Sequence, residues 1–330
     1  MTGRLSDPVR WKTIEGPEDL RALLVEVGGL GDFFIVKPNW FDPRPGSYTD
    51  PYVLDLVLTA LPGKKLVIEG HSHSRNDLSQ RITPENMDDQ REWIRRQEQL
   101  YLDRTGLAEV LSRHAVEYLN ITEEYWAGRV AAASTVRDLV ESRYGPLTHQ
   151  EFYGYVPKRL FDLRGATLID LARMKISSPT SRDYSLTMKN LFGLIPHVSR
   201  YSYHDSLSES IIDINLVYRT LFDVVGVGEG IRQAVFFWDK GRFVTPWSRF
   251  DVVKDLGMAV AGRDLAAVDT VVGMMFGQNL TMRTAIKLAE EKFGELDPEA
   301  LGEPPLLVDV RDEDWIGPLE AQGRIVSEPA

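Results

Sequence analysis

The sequence predicts an α/β fold: a mostly parallel sheet flanked by helices, built from βαβ units and carrying a helical and aromatic insertion. Three observations carry that expectation. Two short apolar runs, Phe33 to Val36 and Leu66 to Ile68, each end in a polar cluster. Between them Leu54, Val57, Leu58 and Leu61 recur at helical spacing. A strand, a helix and a strand at this separation form a βαβ unit, whose crossover is right-handed in nearly all parallel sheets.

The elements follow in order. Residues 1–30 are expected to be an N-terminal helical segment with Leu20, Leu23, Leu24 and Val27 on one face. The first strand closes on Lys37 and Pro38, because proline cannot continue a central ladder. A loop rich in turn formers then presents Arg44, Ser47 and Thr49, and Asp50 with Pro51 starts the next helix. The second strand runs from Lys65 into Glu69, Gly70, His71 and His73.

Residues 88–114 are expected to form a charged pair of surface helices. A strand at 115–119 and a helix at 130–144 follow, the helix ended by Gly145 and Pro146. The aromatic stretch 148–161 suits a short hairpin or an insertion over the sheet, and the whole insertion covers about 85–165. A strand at 168–172 leads through Lys175, Ser177, Ser178 and Thr180 to a helix from Tyr184 to Phe192, where Lys189 and Asn190 lie off the apolar face.

Further on, a helix from Ser206 to Arg219 precedes a strand at 221–225. That strand is expected to open into a glycine loop from Gly226 to Gly230 that lets backbone N–H groups approach an anion. No Lys-Ser/Thr pair follows, so the loop is not a P-loop. A strand at 257–263, a helix capped by Asp264 and a helix at 281–293 complete a single α/β domain spanning 31–294. Residues 295–330 read as an acidic, proline-containing, loosely packed extension.

With 49 acidic against 38 basic residues the formal charge is -11, which opposes binding to nucleic acid or anionic membranes. No apolar run approaches the roughly 20 residues needed to span a bilayer, so a cytoplasmic protein is the expectation. The absence of cysteine excludes disulfides, thiolate nucleophiles and cysteine-ligated zinc or iron–sulfur clusters. Oligomeric state stays open, a homo-oligomer included.

The chemistry is expected where strands end, because ligands of open α/β sheets bind outside the carboxyl ends of the strands. Lys37 lies at such an end, and Lys189 and Asn190 interrupt an apolar run, where an ammonium needs a partner or loses its proton. Lys37, Lys189, His71 and His204 are therefore the candidate catalytic groups. Asn39, Arg44, Asn190, Arg200, Gly228 and Gly230 are candidate substrate contacts. Glu69, His71 and His73, with His204 as a remote ligand, form the alternative of a divalent metal site. Asp213, set mid-helix among isoleucines, is expected to pair with a lysine or arginine of the site.

Several of these stretches also carry a family resemblance. Ile35 to Asn39, Leu186 to Pro196 with the downstream His204, Asp223 with Gly226 to Gly230, and Gly262 to Asp269 together resemble the domain-of-unknown-function 362 family, from about Asp32 to Gly294. Many of its members look like partners of ferredoxin-type modules, a role this cysteine-free chain cannot take over. A looser similarity, through Gly70, His71, Lys189, Pro196 and His204, is to nickel-pincer-dependent lactate racemases. It implies two histidines on opposite faces of a substrate and proton transfer at a carbon bearing oxygen.

The leading expectation is an enzyme that uses Lys/His acid–base chemistry on a small anionic metabolite, a carboxylate or phosphate, in the manner of an isomerase, epimerase or lyase. The alternatives are a metal-dependent hydrolase or oxidoreductase, and a non-catalytic anion-binding or assembly subunit.

Overall fold

The computed structural model of the chain describes residues 9–44, 46–75, 86, 89–177, 185–245, 248–293 and 301–326. Its strands, in chain order, are β1 (Arg10–Thr13), β2 (Phe33–Lys37), β3 (Lys64–Glu69), β4 (Glu117–Asn120), β5 (Thr167–Arg173), β6 (Lys175–Ser177), β7 (Asp223–Gly230), β8 (Gln233–Phe237), β9 (Phe243–Val244), β10 (Arg249–Lys254) and β11 (Met258–Gly262). Seven of them form a sheet in the order β1-β11-β7-β5-β2-β3-β4. From β7 to β4 every pairing is parallel, and β11 and β1 add an antiparallel edge. The fold is α/β, as the βαβ pattern predicts.

The apolar runs are continuous because helices cover both faces of the sheet. Phe34, Val36, Val67 and Ile169 pack with the helices Pro17–Glu26 and Pro51–Ala60. Ile35, Leu66, Ile68 and Leu168 point the other way, into the core shared with the helices Leu207–Leu221 and Leu265–Met275. Asp50 caps the helix Pro51–Ala60 by accepting the Val53 N–H at 3.0 Å, and Asp264 caps the helix Leu265–Met275 through Ala266 and Ala267.

Strand order locates the crevice. From β2 the chain steps outward to β3 and β4, then returns to β5 on the other side of β2 and continues to β7. Neighbours β2 and β5 thus send the chain in opposite directions, which opens a gap at their carboxyl ends. Lys37 and Asp170 stand side by side there in register.

The sheet predicted from sequence has a companion that the pattern did not announce. Strands β6, β8, β10 and β9 form a second sheet, with β6 and β8 parallel. Only Met174 separates β5 from β6, and β7 reaches β8 after two residues. The two central strands therefore leave the large sheet side by side and pair again, Lys175 opposite Val235.

Other expectations are corrected. The anticipated glycine loop is the second half of β7, with Gly226, Gly228 and Gly230 paired to Gly262, Val260 and Met258 of β11. These glycines serve packing: a Cβ on Gly226 would collide with Leu265 and stand 3.3 Å from Thr187. The stretch 148–161 holds a 3-10 turn, Gln150–Gly154, and the helix Lys158–Asp162 instead of a hairpin.

The expected helix at 184–192 is one α-turn, Thr187–Asn190, continued by the 3-10 turn Leu191–Leu194. Tyr184, Ser178 and Thr180 lie outside the described residues. The first thirty residues supply the edge strand β1 as well as a helix. The C-terminal stretch is packed, with Leu301, Val308, Val310 and Leu319 buried and Trp315 stacked on Phe236 at 4.9 Å. Among the described residues no helix is long and apolar enough to cross a membrane.

Gly226→Val forces a branched side chain between β7 and the Leu265 helix. It is expected to lower the free energy of urea unfolding by about 2 kcal/mol, the usual scale of overpacking. An unchanged midpoint would show that the helix yields without loss.

Candidate active site

The crevice is a cavity of about 450 Å³ at the carboxyl ends of β2 and β3, closed in part by the small sheet through Phe237 and Phe250. Its floor is a buried polar network centred on Lys37, which is 1% exposed. The Lys37 ammonium donates to Glu69 Oε2 at 2.9 Å, to the Pro38 carbonyl at 2.8 Å and to Asn190 Oδ1 at 3.2 Å. Those three bonds use all three protons of the group. Burial lowers the Lys37 pKa, and the carboxylates of Glu69 and Asp170 oppose that shift.

Glu69 is held by more than the lysine: its Oε2 accepts the Trp40 N–H at 3.3 Å and its Oε1 the Gly70 N–H at 3.0 Å. Gly193 lies directly over this ion pair. A Cβ there would stand 2.7 Å from Glu69 Oε1 and 2.9 Å from Lys37 Nζ, so the approach demands glycine.

Asn190 links the rest. Its amide donates to Asp170 Oδ1 at 2.7 Å while its oxygen also accepts from Asn39 at 2.9 Å. Burial raises the Asp170 pKa well above the usual carboxylate range, against the pull of Lys37. The turn that carries Lys189 and Asn190 has no cap of its own and borrows one. Asp269, from the neighbouring helix, accepts the N–H groups of Thr187 and Met188 at 2.8 and 3.1 Å and the Thr187 hydroxyl at 2.6 Å. Burial pushes the Asp269 carboxyl up to about 7.

Lys175, at the start of β6, also lines the cavity and is 4% exposed. Its ammonium position lies 5.1 Å from the Phe41 ring centre, and among the described residues it forms no ion pair. Burial pulls its pKa down to about 7; Arg173, Lys189 and Lys37 push the same way and Asp42 opposes. Asp42 itself is taken by Arg44 at 2.6 Å and by the Ser47 hydroxyl.

Of the residues predicted from sequence, Lys37, Asn39, Arg44, Glu69, His73, Lys189, Asn190, Arg200 and His204 all line the cavity. His73 is half-buried, burial lowers its pKa, and among the described residues its buried Nδ1 has no hydrogen-bond partner. His204 sits exposed at the rim, with Nδ1 3.0 Å from the Arg200 carbonyl and its ring edge-on to Phe192. Arg200 spends its guanidinium on the carbonyls of Ile195, His71 and Gly193, which makes it a loop tie.

The structure turns His71 away from the cavity. Its Nε2 meets Glu123 Oε1 at 3.0 Å and its Nδ1 lies 3.4 Å from Glu98, with Trp126 against the ring. Burial alone would lower its pKa, but the hydrogen bonds to Glu123 and Glu98 outweigh it and raise the value. His71 thus meets Glu98 and Glu123, in a network that also holds Arg75, and does not line the cavity. Gly228 and Gly230 are likewise displaced, being buried in β7. The proposed metal ligands do not converge: Glu69 is paired with Lys37, His71 with its two glutamates, and His73 and His204 each lie near Tyr201. Among the described residues no group of three or more such side chains is placed to hold a metal ion.

Asp213 reaches no cation of the site. It accepts from His149 Nδ1 at 2.8 Å and from the N–H groups of Thr148 and His149, and His149 Nε2 lies 2.9 Å from the Ser206 hydroxyl.

Sequence reasoning missed Lys175, Asp170 and the capping role of Asp269. The signal for Lys175 was present: Arg173 and Lys175 interrupt the run from Leu168 to Ile176 as Lys189 and Asn190 interrupt theirs. Asp269 carries no such mark, because its partner lies 82 residues away.

A family model described as Domain of unknown function (DUF362) matches residues 35–273, well over half of the chain. Comparison with curated proteins and with solved structures gave no match, so a relationship to lactate racemases is not shown.

Two outcomes follow from the buried charges. Glu69→Gln leaves Lys37 without its counter-ion and is expected to cost about 3 kcal/mol of stability, whereas the double variant Lys37→Met, Glu69→Gln loses less than the sum of the single changes. Additive losses in urea unfolding would show the pair to be uncoupled.

For Lys175 the folded pKa is depressed, so the unfolded chain holds more protons at this group between about pH 7 and the ordinary lysine value, and stability rises with pH across that window. Lys175→Met is accordingly expected to stabilise the fold more at about pH 6 than at about pH 9.5. Equal gains at the two pH values would contradict a depressed amine.

Proposed function

The chain belongs to the DUF362 family, and from its cavity we propose that it is an enzyme that moves protons on a small anionic metabolite, in the manner of an isomerase, epimerase or lyase. One observation carries the reading. A cavity of a size suited to a small molecule, walled in part by the rings of Trp40, Phe41, Phe192, Phe237 and Phe250, is lined by Lys175, Lys189 and Arg44 together with His73, whose pKa burial lowers. Cations on such walls favour a carboxylate or phosphate, because the low-dielectric surroundings strengthen each charge contact.

The residues divide by what they still have to offer. Lys37 has no proton left to donate and acts as fixed positive charge beneath the ligand. Lys189 and Arg44 are assigned to the anionic group. His73, whose free Nδ1 accepts a proton, and the Lys175 amine, titrating near neutrality, supply acid–base capacity close to working pH. Asn39, whose buried Oδ1 lacks a donor among the described residues, is assigned to orient a ligand hydroxyl or amide. His204 at the rim exchanges protons with solvent. The same reading includes a cytoplasmic setting, in keeping with the ordinary soluble composition.

The test uses the full chain with a panel of small carboxylates and phosphates. Thermal stabilisation by at least one of them is expected, weakened about tenfold or more by Lys189→Ala. Incubation in D2O should then place solvent deuterium on a carbon of the bound compound, read by proton NMR. Binding without exchange across the panel would favour a non-catalytic anion pocket, and the absence of any binding would overturn the reading.

A further inference from the structure

We propose that Lys175 is a nucleophile that joins the carbonyl carbon of an anionic oxo compound, a 2-oxo acid, as a covalent imine. The proposal rests on the cavity being the site of a small anionic substrate and narrows the substrate to one that carries a carbonyl.

The argument begins with how the three cavity lysines are occupied. Lys37 is locked between a carboxylate, a carbonyl and an amide oxygen. Lys189 is only partly buried, on the one-turn helix opposite. Lys175 differs from both: it is buried, lines the cavity, and among the described residues has no ion pair. Asp42, the carboxylate that opposes the lowering of its pKa, is bound to Arg44, and the ring of Phe41 lies against the amine with its centre 5.1 Å away.

An amine becomes a nucleophile when its neutral form is populated. Desolvation in an apolar pocket and the nearness of other cations are the two recognised ways to achieve that, and Lys175 has both. Arg173, the residue two before it, is fully buried at the end of β5, and Lys37 and Lys189 share the cavity. The depressed pKa agrees with this geometry.

The same cations that keep the amine neutral attract the carboxylate of an oxo acid. Lys189 and Arg44 can hold that carboxylate while the adjacent carbonyl faces the amine. Once the substrate is bound, its negative charge offsets the positive charge of the protonated imine. The backbone supports the aim of the side chain, since Lys175 is fixed on a strand paired to Val235 on one side and bridged to Ser185 on the other.

The step balances without any oxidant or reductant. The nitrogen lone pair forms a bond to the carbonyl carbon while the C=O π pair moves to oxygen. The C–O bond of the resulting carbinolamine then breaks as the nitrogen pair closes the C=N bond. Both amine protons leave with the carbonyl oxygen as one water. Protonated on nitrogen, the imine withdraws electrons from the neighbouring carbon, so a C–H or C–C bond there is weakened. His73, whose Nδ1 has no partner among the described residues, is the group assigned to take up the proton of such a C–H bond.

The experiment treats the full-length protein with pyruvate, 2-oxoglutarate or phenylpyruvate and then with sodium borohydride, which reduces an imine to a stable secondary amine. The expected result is an adduct with the mass of the oxo acid less water plus two hydrogens, mapped by peptide mass spectrometry to Lys175. It should be absent without borohydride and absent in Lys175→Arg, whose fold is checked by circular dichroism. It should form more slowly in Lys189→Ala, and in the wild type its rate should rise with pH through neutrality. Labelling of Lys37, Lys189 or surface lysines in place of Lys175 would overturn the proposal. Thermal stabilisation by these acids with no trapped adduct would also overturn it while leaving the anion-binding reading intact; no binding and no adduct would remove both.

Discussion

A single buried ammonium organises the centre of this protein. Lys37 ends β2 at the point where the sheet reverses its direction of travel, and it is almost wholly removed from water. An isolated charge there would be lost to deprotonation or unfolding, so the surrounding chain is arranged to meet it. Glu69 arrives from the neighbouring strand, Asn190 from the turn above, and the Pro38 carbonyl from the lysine's own loop. Gly193 keeps its place bare so that the turn can settle onto the pair. Each partner is in turn restrained, Glu69 by the backbone of Gly70 and Trp40, and Asn190 by Asp170. The cavity floor is rigid because no member of the network can leave without stranding another.

Above this floor the chemistry is divided between spent and unspent groups. Lys37 and His71 stand at strand ends in the sequence and Arg200 follows the stretch Leu186 to Pro196, yet the structure uses all three to tie backbone or meet carboxylates. Lys175 and His73 retain unused capacity. The difference lies in neighbours that are distant along the chain, and for that reason composition and spacing cannot separate a structural cation from a reactive one.

The large sheet was legible because its cause is local. Strands buried on both faces must be apolar throughout, and the helix between β2 and β3 shows its own period, with Asp50 and Pro51 marking its start. The location of the site was legible for the same reason, since Lys37, Lys189 and Asn190 break apolar runs that need a reason to be broken. What stayed hidden depends on pairing. The glycines of β7 resemble a loop in sequence, and their role as clearance for Leu265 appears only when the helix is seen against the strand. His71 lies two residues from Glu69, but β3 ends between them, the two side chains meet different partners, and nothing local announces that. The small sheet stays hidden because β6 and β8 continue strands whose apolar runs stop at Ala172 and Val225 in the sequence.

That continuation has a consequence for how such a site can change. The roof over the cavity is not a separate module attached by a linker; it is the outward growth of the two strands that also form the middle of the main sheet. Phe237 and Phe250 project from its hairpin-like part, while Lys175 lies at its root, parted from the main sheet by Met174 alone. Residues at the far end of the hairpin can therefore be exchanged to reshape the chamber, with the root and its reactive amine held in register by the larger sheet. The architecture separates what selects a ligand from what acts on it, using one nearly continuous pair of strands for both.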